Sequence, residues 1–517
     1  MKNNNECIQD NQRIAKNTLL LSARMLFSML VSFYTSRIVL DVLGINDYGI
    51  YCLIGGVAGM FGFLNASLAG ATSRFLTFDL GRGDLNRLKQ TFKATITVHL
   101  LLSLLILILA ETIGLWLLEN KLVIPEERMN AARILYQLSV FSSILGITQV
   151  PYNSAIIAHE KMDIFAYFGI ADVIFKLVIV SVLSIGNFDR LILYGILLSF
   201  ISLSMMLLYR CYCNKHFEEC TFKITTEKDL LKPLFAYSGW DLYGNMSIMA
   251  RTQGVNILQN LFFGAVINAA TGIANQVMNA IMGFVDNFST ALRPQIVKLY
   301  ANDEINEMEK LAIRCSRFSF YILFFVTFPF FLEAPFVLSV WLKEVPDHAI
   351  VFCRLSILFN LVLVSFRSLV FIIHATGKMK RISFINGTLY LMVIPITYIL
   401  LSLGLSPTTP FFTNIVLVTL GSLSNLYTVK LYIKQFDCRR FVMTGVTYPI
   451  AISLLGSIIP CLIYYLFDDR NWISFFIICA SCVISVGSTI FFIGMTLSER
   501  TKTVTLAVNK IRRICGL

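Results

Sequence analysis

Apolar runs of about twenty residues recur from Asn17 to Leu497, and short polar segments separate them. A run of this length is enough for an α-helix to cross the ~30 Å hydrocarbon core of a bilayer. Taking the polar breaks as helix ends predicts fourteen spans, at residues 17–43, 48–72, 94–118, 134–158, 163–186, 191–209, 234–262, 266–292, 313–333, 355–376, 382–403, 411–429, 441–467 and 471–497. The pattern therefore predicts an all-α polytopic membrane protein.

Composition agrees with this prediction. Only 14% of the residues are charged and 56% are hydrophobic, whereas soluble domains carry roughly 25% charged residues. The N-terminal stretch MKNNNECIQDNQRIAKN is polar, and the apolar run after it is longer than the core of a cleavable signal peptide. We therefore expect no signal peptide.

The placement of positive charge predicts the orientation. Most of the 43 Lys and Arg lie in loops and span ends on the same side as the N-terminus, and such loops are normally cytoplasmic. Both termini are then predicted to be cytoplasmic, as an even number of spans requires. The net charge of +12 is explained by this topology and by attraction to anionic lipid headgroups, without nucleic acid as a partner.

The chain lacks the patterns of an enzyme. The predicted outer loops, around LENKLVIPEER and LKEVPDH, are short, which disfavours a glycan polymerase or glycosyltransferase. No G-x-x-x-x-G-K-[ST] occurs, and the five histidines do not form an H-E-x-x-H. Cys479 and Cys482 form a C-x-x-C inside the last span, where packing is the simpler explanation. We expect no catalytic activity, no cofactor and no metal site.

An internal repeat is visible at an offset of about 217 to 225 residues. ATSRFLTFDLGRGDLNRL at the end of span 2 aligns with ALRPQIVKLYANDEINEM at the end of span 8, and AIIAHEKM aligns with IIHATGKM. We therefore predict two parallel six-helix repeats, as lobes at residues 1–213 and 214–434, followed by spans 13 and 14 with a basic tail at residues 435–517. Duplicated bundles of this kind place the substrate between the repeats and work by alternating access.

At this point the chain resembles a known superfamily. The arrangement of six, six and two spans, with LDVLGINDYGIY between spans 1 and 2, is similar to the multidrug/oligosaccharidyl-lipid/polysaccharide exporter superfamily. The segments SRIVLDVLGINDYGIY, GFLNASLAGATSRFLTFDLG and FLEAPFVLSVWLKEVP look most like the polysaccharide branch, the O-antigen and capsule-type flippases of bacteria.

The resemblance implies a location in the bacterial inner membrane and a role in making surface polysaccharide such as lipopolysaccharide or capsule. The implied activity is transfer of an undecaprenyl-diphosphate-linked oligosaccharide from the cytoplasmic to the periplasmic leaflet. Implied partners are this glycan substrate, membrane lipids and, as further candidates, other membrane proteins of polysaccharide assembly. The alternative is a drug/cation antiporter of the same superfamily, whose cavity should favour carboxylates over arginines.

Charges inside spans are functional candidates, because each costs about 3 kcal/mol at the bilayer centre. Arg37 and Asp41 lie one turn apart near the outer end of span 1, and we predict that they pair and fix this end to its neighbours; a substrate role is the alternative. Arg24 shares a different face with the hydroxyls of Ser28, Ser32 and Thr35, and its charge needs a cavity or a partner on another helix.

Spans 7 and 8 carry polar stripes. Span 7 has Asp241, Asn245, Thr252, Asn256 and Gln259 on one face with Arg251 at its border, and span 8 has Asn268, Asn275, Asn279, Asp286 and Thr290. These stripes predict a water-filled cavity, although amides can also simply bridge helices at ~0.6 kcal/mol each. The predicted substrate-binding residues are Arg24, Arg251, Asp241, Asn245, Asn256, Gln259, Asn275 and Asn279.

Within this set, we predict that Arg24 and Arg251 hold the diphosphate. Guanidinium groups stay charged when partly desolvated and bind phosphate through parallel hydrogen bonds. The alternative is that Arg251 pairs with Asp241, Asp286 or another acid.

Two further sets of charges are candidates for ion coupling and gating. Asp172 and Lys176 lie one turn apart in span 5 and predict a neutralised pair, with proton coupling as the alternative; Asp286 is the third candidate for ion coupling. The outer ends of both repeats carry an acid and an arginine that fit either gate latches or plain interfacial ion pairs, Glu111 with Arg133 and Glu333 with Arg354. His374 is predicted to be a satisfied or interfacial histidine.

Overall fold

The computed structural model describes residues 4–59, 72–73, 75–77, 79–80, 83–159, 161–183, 188–225, 227, 239–467 and 471–501. Within these ranges the regular elements are helices and none is a strand. We number them α1 Asn4–Gly59, α2 Leu85–Asn120, α3 Met129–Ala158, α4 Met162–Leu183, α5 Arg190–His216, α6 Gly239–Phe263, α7 Ala265–Ala301, α8 Ile305–Trp341, α9 Ala349–Ser365, α10 Arg367–Thr376, α11 Met379–Ser402, α12 Thr409–Tyr432, α13 Cys438–Leu466 and α14 Trp472–Gly494.

These helices confirm the predicted fold class. In the described residues, eleven helices are long and apolar enough to cross a membrane. Helices α6 and α7 have 25 and 37 residues and coincide with predicted spans 7 and 8, but they carry the polar stripes and are not among the eleven. The second half of predicted span 2 lies outside the described residues.

Spans 1 and 2 meet at a kink inside α1. Gly44 has φ 77° and ψ 167°, which is non-helical. This left-handed φ carries a steric penalty for residues with a Cβ atom but not for glycine. The glycine of LDVLGINDYGIY therefore allows the break that the sequence predicts between residues 43 and 48.

The chain divides into two compact units, Met1–Ile273 with Leu342–Ala349 and Ser383–Thr413, and Ala274–Trp341 with Ile350–Ile382 and Asn414–Leu517. In the first unit, one core is built around Leu53, Tyr136 and Ile257, and another around Phe92 and Tyr152. The predicted lobe boundaries at residues 213 and 434 stay a prediction.

In the second unit, α13 and α14 pack against α8. Phe328 and Leu332 of α8 form a buried cluster with Cys482 and Val486 of α14. The last two spans are therefore docked on the bundle through a continuous apolar contact, and Cys482 lies in that contact, as predicted for a packing residue.

Span 10 is broken, contrary to the prediction of one continuous helix. Helix α9 ends at Ser365 and α10 begins at Arg367, with Phe366 at φ −112° and ψ 1° between them. The hydroxyl of Ser316 on α8 donates to the Ser365 carbonyl and, at 3.0 Å, to the Gly445 carbonyl. This side chain satisfies a backbone acceptor at the break, which is how membrane proteins accommodate interrupted helices.

Candidate functional site

The hydroxyl stripe of α1 lines a cavity of about 370 Å³. Its other wall comes from α4, where Lys176 Nζ lies 2.7 Å from Asp172 Oδ2. The lining residues are Ser28, Val31, Ser32, Thr35, Gly169, Asp172, Val173 and Lys176. The predicted pairing of Asp172 with Lys176 is confirmed, and its role in ion coupling stays a prediction. Arg24, predicted on the same face, has its side chain outside the described part of the chain, as has Asp241.

The predicted pair of Arg37 and Asp41 is wrong. Asp41 Oδ2 lies 2.6 Å from Lys343 Nζ, in the segment that follows α8. Lys343 is 302 residues away in sequence. A local pairing rule therefore identified the wrong cation, because the tertiary fold brings a distant lysine to the part of α1 just before its kink.

A second contact within the first unit joins the segment after α2 to the end of α6. The Asn260 amide at the end of α6 accepts from Val123 N at 2.8 Å and donates to Val123 O at 3.2 Å. Near it, a Cβ atom added to Gly49 would lie 2.0 Å from the carbonyl oxygen of Ala265. The segment after α2 therefore contacts the end of α6, and α1 just beyond its kink lies against the start of α7. Asn260 is not part of the polar stripe predicted for span 7.

Arg128 binds two aspartates at the predicted outer end of the first unit. Its Nη2 and Nε bind Asp47 at 2.5 and 2.8 Å, and its Nη1 and Nη2 bind Asp189 at 2.6 and 3.1 Å. Hydrogen bonds from Arg128 hold the pKa of Asp189 below its ordinary value, against the opposing effect of burial. This double fork ties α1, α3 and α5 together, and no sequence rule identified it.

The predicted gate residues have other partners. Arg133 Nε lies 3.1 Å from Glu119, and Glu111 accepts a hydrogen bond from Gln137 at 3.2 Å, so the expected Glu111–Arg133 pair is replaced.

In the second repeat, Glu333 is 1% exposed, and Arg354 donates to the carbonyls of Phe331 and Leu332. Arg133 thus binds a carboxylate of α2, and Arg354 binds backbone carbonyls of α8. A gating role for Glu111, Arg133, Glu333 and Arg354 stays a prediction.

Arg251 is buried in α6. It is 9% exposed, and its guanidinium carbon lies 4.7 Å from the ring centre of Tyr390 on α11. Such cation–π contacts contribute up to about 2 kcal/mol when desolvated. Asp286, one of its alternative partners, binds Arg367.

The amide stripe of α6 is engaged by α7. Asn268 donates to the Asn256 side chain at 2.6 Å, and Thr271 donates to Gln259 at 2.8 Å. Gln259 and Asn268 are fully buried. These contacts support the alternative that the amides of this helix pair bridge helices, while Asn245 remains half-buried.

Helix α7 presents an accessible polar face. Asn275, Asn279 and Arg293 are exposed, and the Asp286 side chain is 47% exposed. At 100° per residue these four positions fall within about 40° of one another. From first to last they extend about 27 Å along the helix, close to the ~30 Å of a hydrocarbon core. We call these four residues the α7 ribbon.

The charged end of the α7 ribbon binds α10. Arg367 donates to Asp286, and Arg293 Nη2 lies 3.0 Å from His374 Nδ1. Neither Arg293 nor Arg367 is among the site residues predicted from the sequence. Arg293 follows Asp286 by seven residues and therefore shares its helix face. Arg367 is a charge within a predicted span. Both features are visible in the sequence and could have identified these residues.

No known family profile matches the sequence, and no curated protein matches it. Solved structures do. An inward-facing multidrug resistance MATE transporter of the MOP superfamily matches with TM-score 0.66 and 14% identity over 81% of this chain and 100% of that chain. The lipid II flippase MurJ, in an inward closed conformation, matches with TM-score 0.64 and 14% identity over 91% of this chain and 98% of that chain.

A MOP superfamily transporter from Pyrococcus furiosus matches with TM-score 0.60 and 13% identity over 81% of this chain and 96% of that chain. The chain therefore shares the fold of these transporters.

Proposed function

We propose that the protein is a flippase that moves undecaprenyl-diphosphate-linked oligosaccharide units from the cytoplasmic to the periplasmic leaflet by alternating access. The α7 ribbon is the observation that carries the proposal. A diphosphate-sugar headgroup cannot cross hydrocarbon unaided, because each uncompensated polar group costs several kcal/mol. The ribbon offers the amides of Asn275 and Asn279 for sugar hydroxyls and the guanidinium group of Arg293 for phosphate, over about 27 Å of helix.

The transporter fold supports the proposal, and one structure that shares it is a lipid II flippase. The polyprenyl tail would stay in lipid while the headgroup moves along the ribbon. Arg251 and Arg24 remain the proposed diphosphate clamp on the first helix of each repeat, with Arg251 leaving Tyr390 when it binds substrate.

The outer side would be closed by contacts of α1 with the segment after α8 and with the start of α7, and by a contact of the segment after α2 with the end of α6. Asp41 with Lys343, and Asn260 with Val123, join residues of the two predicted lobes. We therefore place the outer gate at these contacts, together with the close approach of Gly49 to Ala265. They would have to open when the headgroup is released.

A drug/cation antiporter is the second candidate, because a multidrug transporter shares the fold. The charges of the ribbon favour the flippase. Its one carboxylate, Asp286, is bound to Arg367, so a drug cation would have to compete with a guanidinium for it.

The test is a deletion strain assayed for lipid-linked glycan in the cytoplasmic leaflet. The proposal expects accumulation there, reversed by the wild-type gene. Normal export combined with increased sensitivity to cationic drugs would replace the flippase with the antiporter.

A further inference from the structure

Helices α7 and α10 are joined by two rungs of charged and titratable side chains. Arg367 donates to Asp286, and seven residues further along both helices Arg293 Nη2 lies 3.0 Å from His374 Nδ1. We propose that these four side chains form an oxyanion site for phosphate groups, and that protonation of His374 strengthens anion binding.

The second rung constrains which nitrogen of His374 can carry a proton. A guanidinium group has only donors, so Nδ1 of His374 accepts the hydrogen bond from Arg293 and carries no proton. The imidazole in this rung is therefore neutral, with its proton on Nε2. A protonated imidazole donates from both nitrogens, so protonation breaks the rung and releases the N–H group of Arg293.

Protonation also changes the charge of the site. Two guanidinium groups and one carboxylate give a net charge of +1 with neutral His374, and protonation raises it to +2. Each added positive charge favours an anion nearby. Since linkage is reciprocal, a bound anion must favour protonation of His374 by the same factor.

Neighbouring elements supply other charged or titratable groups, and these have partners of their own. Helix α8 packs on α10, and its Arg314 and Arg317 both bind Glu499. Cys315 of α8 is close to Arg367. At the start of α11, Lys378 lies 5.2 Å from the Tyr432 ring centre, and Arg381 donates to Thr428. Arg293 contacts the imidazole directly, at 3.0 Å.

The spacing of the rungs suits a diphosphate. Seven residues correspond to about 10 Å along a helix, and two extended arginine side chains can converge over that distance. Arginine binds phosphate oxygens through parallel hydrogen bonds. The carboxylate of Asp286 now occupies Arg367, so an incoming phosphate would replace one oxyanion with another on an accessible face.

The inference deepens the proposed function and rests on it for the identity of the anion. Phosphate groups could come from a lipid-linked diphosphate or from a phospholipid headgroup. Both sources would present the same phosphate oxygens to the site, and the experiment distinguishes one source from the other.

The experiment measures binding of polyprenyl diphosphate to the purified full-length protein in detergent at pH 6 and pH 8. We expect about tenfold tighter binding at pH 6, within the 5- to 150-fold range typical of linked sites. The His374→Gln variant keeps an acceptor for Arg293 but cannot titrate. It should keep the affinity at pH 8 and lose the gain at pH 6. Because the probe itself titrates, the difference between the two proteins is the readout.

Further variants control for folding. Arg293→Gln should weaken binding at both pH values, and Arg293→Lys, which keeps the charge, should weaken it several-fold. Arg314→Gln removes an arginine that is 50% exposed and bound to Glu499, so it should bind as the wild type does. Retention of the full pH gain by His374→Gln, or wild-type binding by Arg293→Gln, would overturn the site.

Phosphatidylglycerol is the second probe. Preference for polyprenyl diphosphate over phosphatidylglycerol supports the substrate as the source of the anion. Equal binding of the two, with the same dependence on His374, would leave the oxyanion site standing and count against the proposed flippase.

Discussion

Asp41 and Lys343 form an ion pair at 2.6 Å although 302 residues separate them. Lys343 is 63% exposed, so the pair should contribute no more than about 1 kcal/mol. Its interest lies in its position, where it joins the end of predicted span 1 to the segment after predicted span 9. Contacts of this strength can close a gate and still open during each transport cycle.

A double-mutant cycle tests the pair. Lys343→Ala should lower the thermal stability of the detergent-solubilised protein slightly, and in an Asp41→Ala background it should have no further effect. Arg37→Ala is the matched control, since it removes a positive charge one turn from Asp41 and should behave additively. Coupling of Asp41 to Arg37 instead of Lys343 would restore the local pairing predicted from the sequence.

The double fork of Arg128 predicts a larger loss of stability than that expected for the Asp41–Lys343 pair. Arg128→Lys keeps the charge but cannot bind Asp47 and Asp189 in parallel, so we expect a loss of about 1.5–3 kcal/mol in stability. Thermal unfolding and membrane abundance measure it. Arg133→Lys is the comparison, because Arg133 binds a single exposed carboxylate and should change stability little. Equal effects of the two substitutions would remove the special role of Arg128.

The same contact predicts a dependence on pH. The pKa of Asp189 is lowered in the folded protein by its hydrogen bonds from Arg128. Its contribution to stability is therefore complete above its ordinary pKa of 3.8 and is lost as the pH falls through the lower folded value. The difference in stability between the wild type and Asp189→Asn, followed from pH 6 to pH 3, should narrow as the pH falls below 3.8. A constant difference over this range would contradict the shift.

The fold could be predicted from the sequence because the lipid environment imposes a simple constraint. Each span must be apolar and about twenty residues long, so the ends of α11 to α14 fall close to the predicted breaks. The break at Phe366 could not be predicted, because it depends on a hydroxyl of another helix, Ser316.

The contacts of the site were harder to predict than its helices. Helical phase placed Asp286 and Asn279 on one face correctly, because phase is a local property. It could not distinguish exposed Asn279 from buried Gln259, since burial depends on which helix packs beside each face. Ion pairs were predicted correctly where both partners lie one turn apart and no third charge competes, as for Asp172 and Lys176. The prediction failed at Asp41, where Lys343 competes.

Substitutions of the amides of α6 and α7 should fall into two classes, one that reduces export and one that reduces protein abundance. Asn275→Ala and Asn279→Ala, on the exposed face, should reduce glycan export with unchanged protein abundance. Gln259→Ala leaves the hydroxyl of Thr271 without its acceptor in a buried contact, which costs about 1–3 kcal/mol, and should lower abundance first. Export per folded molecule and quantitative immunoblotting distinguish the two classes. Loss of abundance in all three variants would make the α7 ribbon a packing surface.

The orientation can be checked with topology reporters. Fusions after Arg82, Lys223, Lys380 and Leu517 should report a cytoplasmic position, and fusions after Asn120 and Asp347 an external one, because Lys and Arg concentrate on the cytoplasmic side. The two fusions after Asn120 and Lys380 are the most informative, since they report on which side of the membrane the proposed outer gate and the end of α10 lie. Opposite results at any two sites would overturn the predicted orientation.

Arg251 provides the last prediction, because its burial against Tyr390 permits two explanations. As a substrate clamp, it would exchange the ring for phosphate during transport, and Arg251→Lys should then abolish export in a folded, correctly inserted protein, because lysine keeps the charge but loses the planar fork. As a packing residue, it would stabilise the contact between α6 and α11, and Tyr390→Leu should then lower abundance as much as Arg251→Ala does, while Tyr390→Phe, which retains the ring, should not. Arg24→Ala, assayed in the same way, decides whether its predicted partner acts with it. Full export by Arg251→Ala at normal abundance would end the clamp hypothesis for this residue and leave Arg293 and Arg367 as the candidates for the diphosphate.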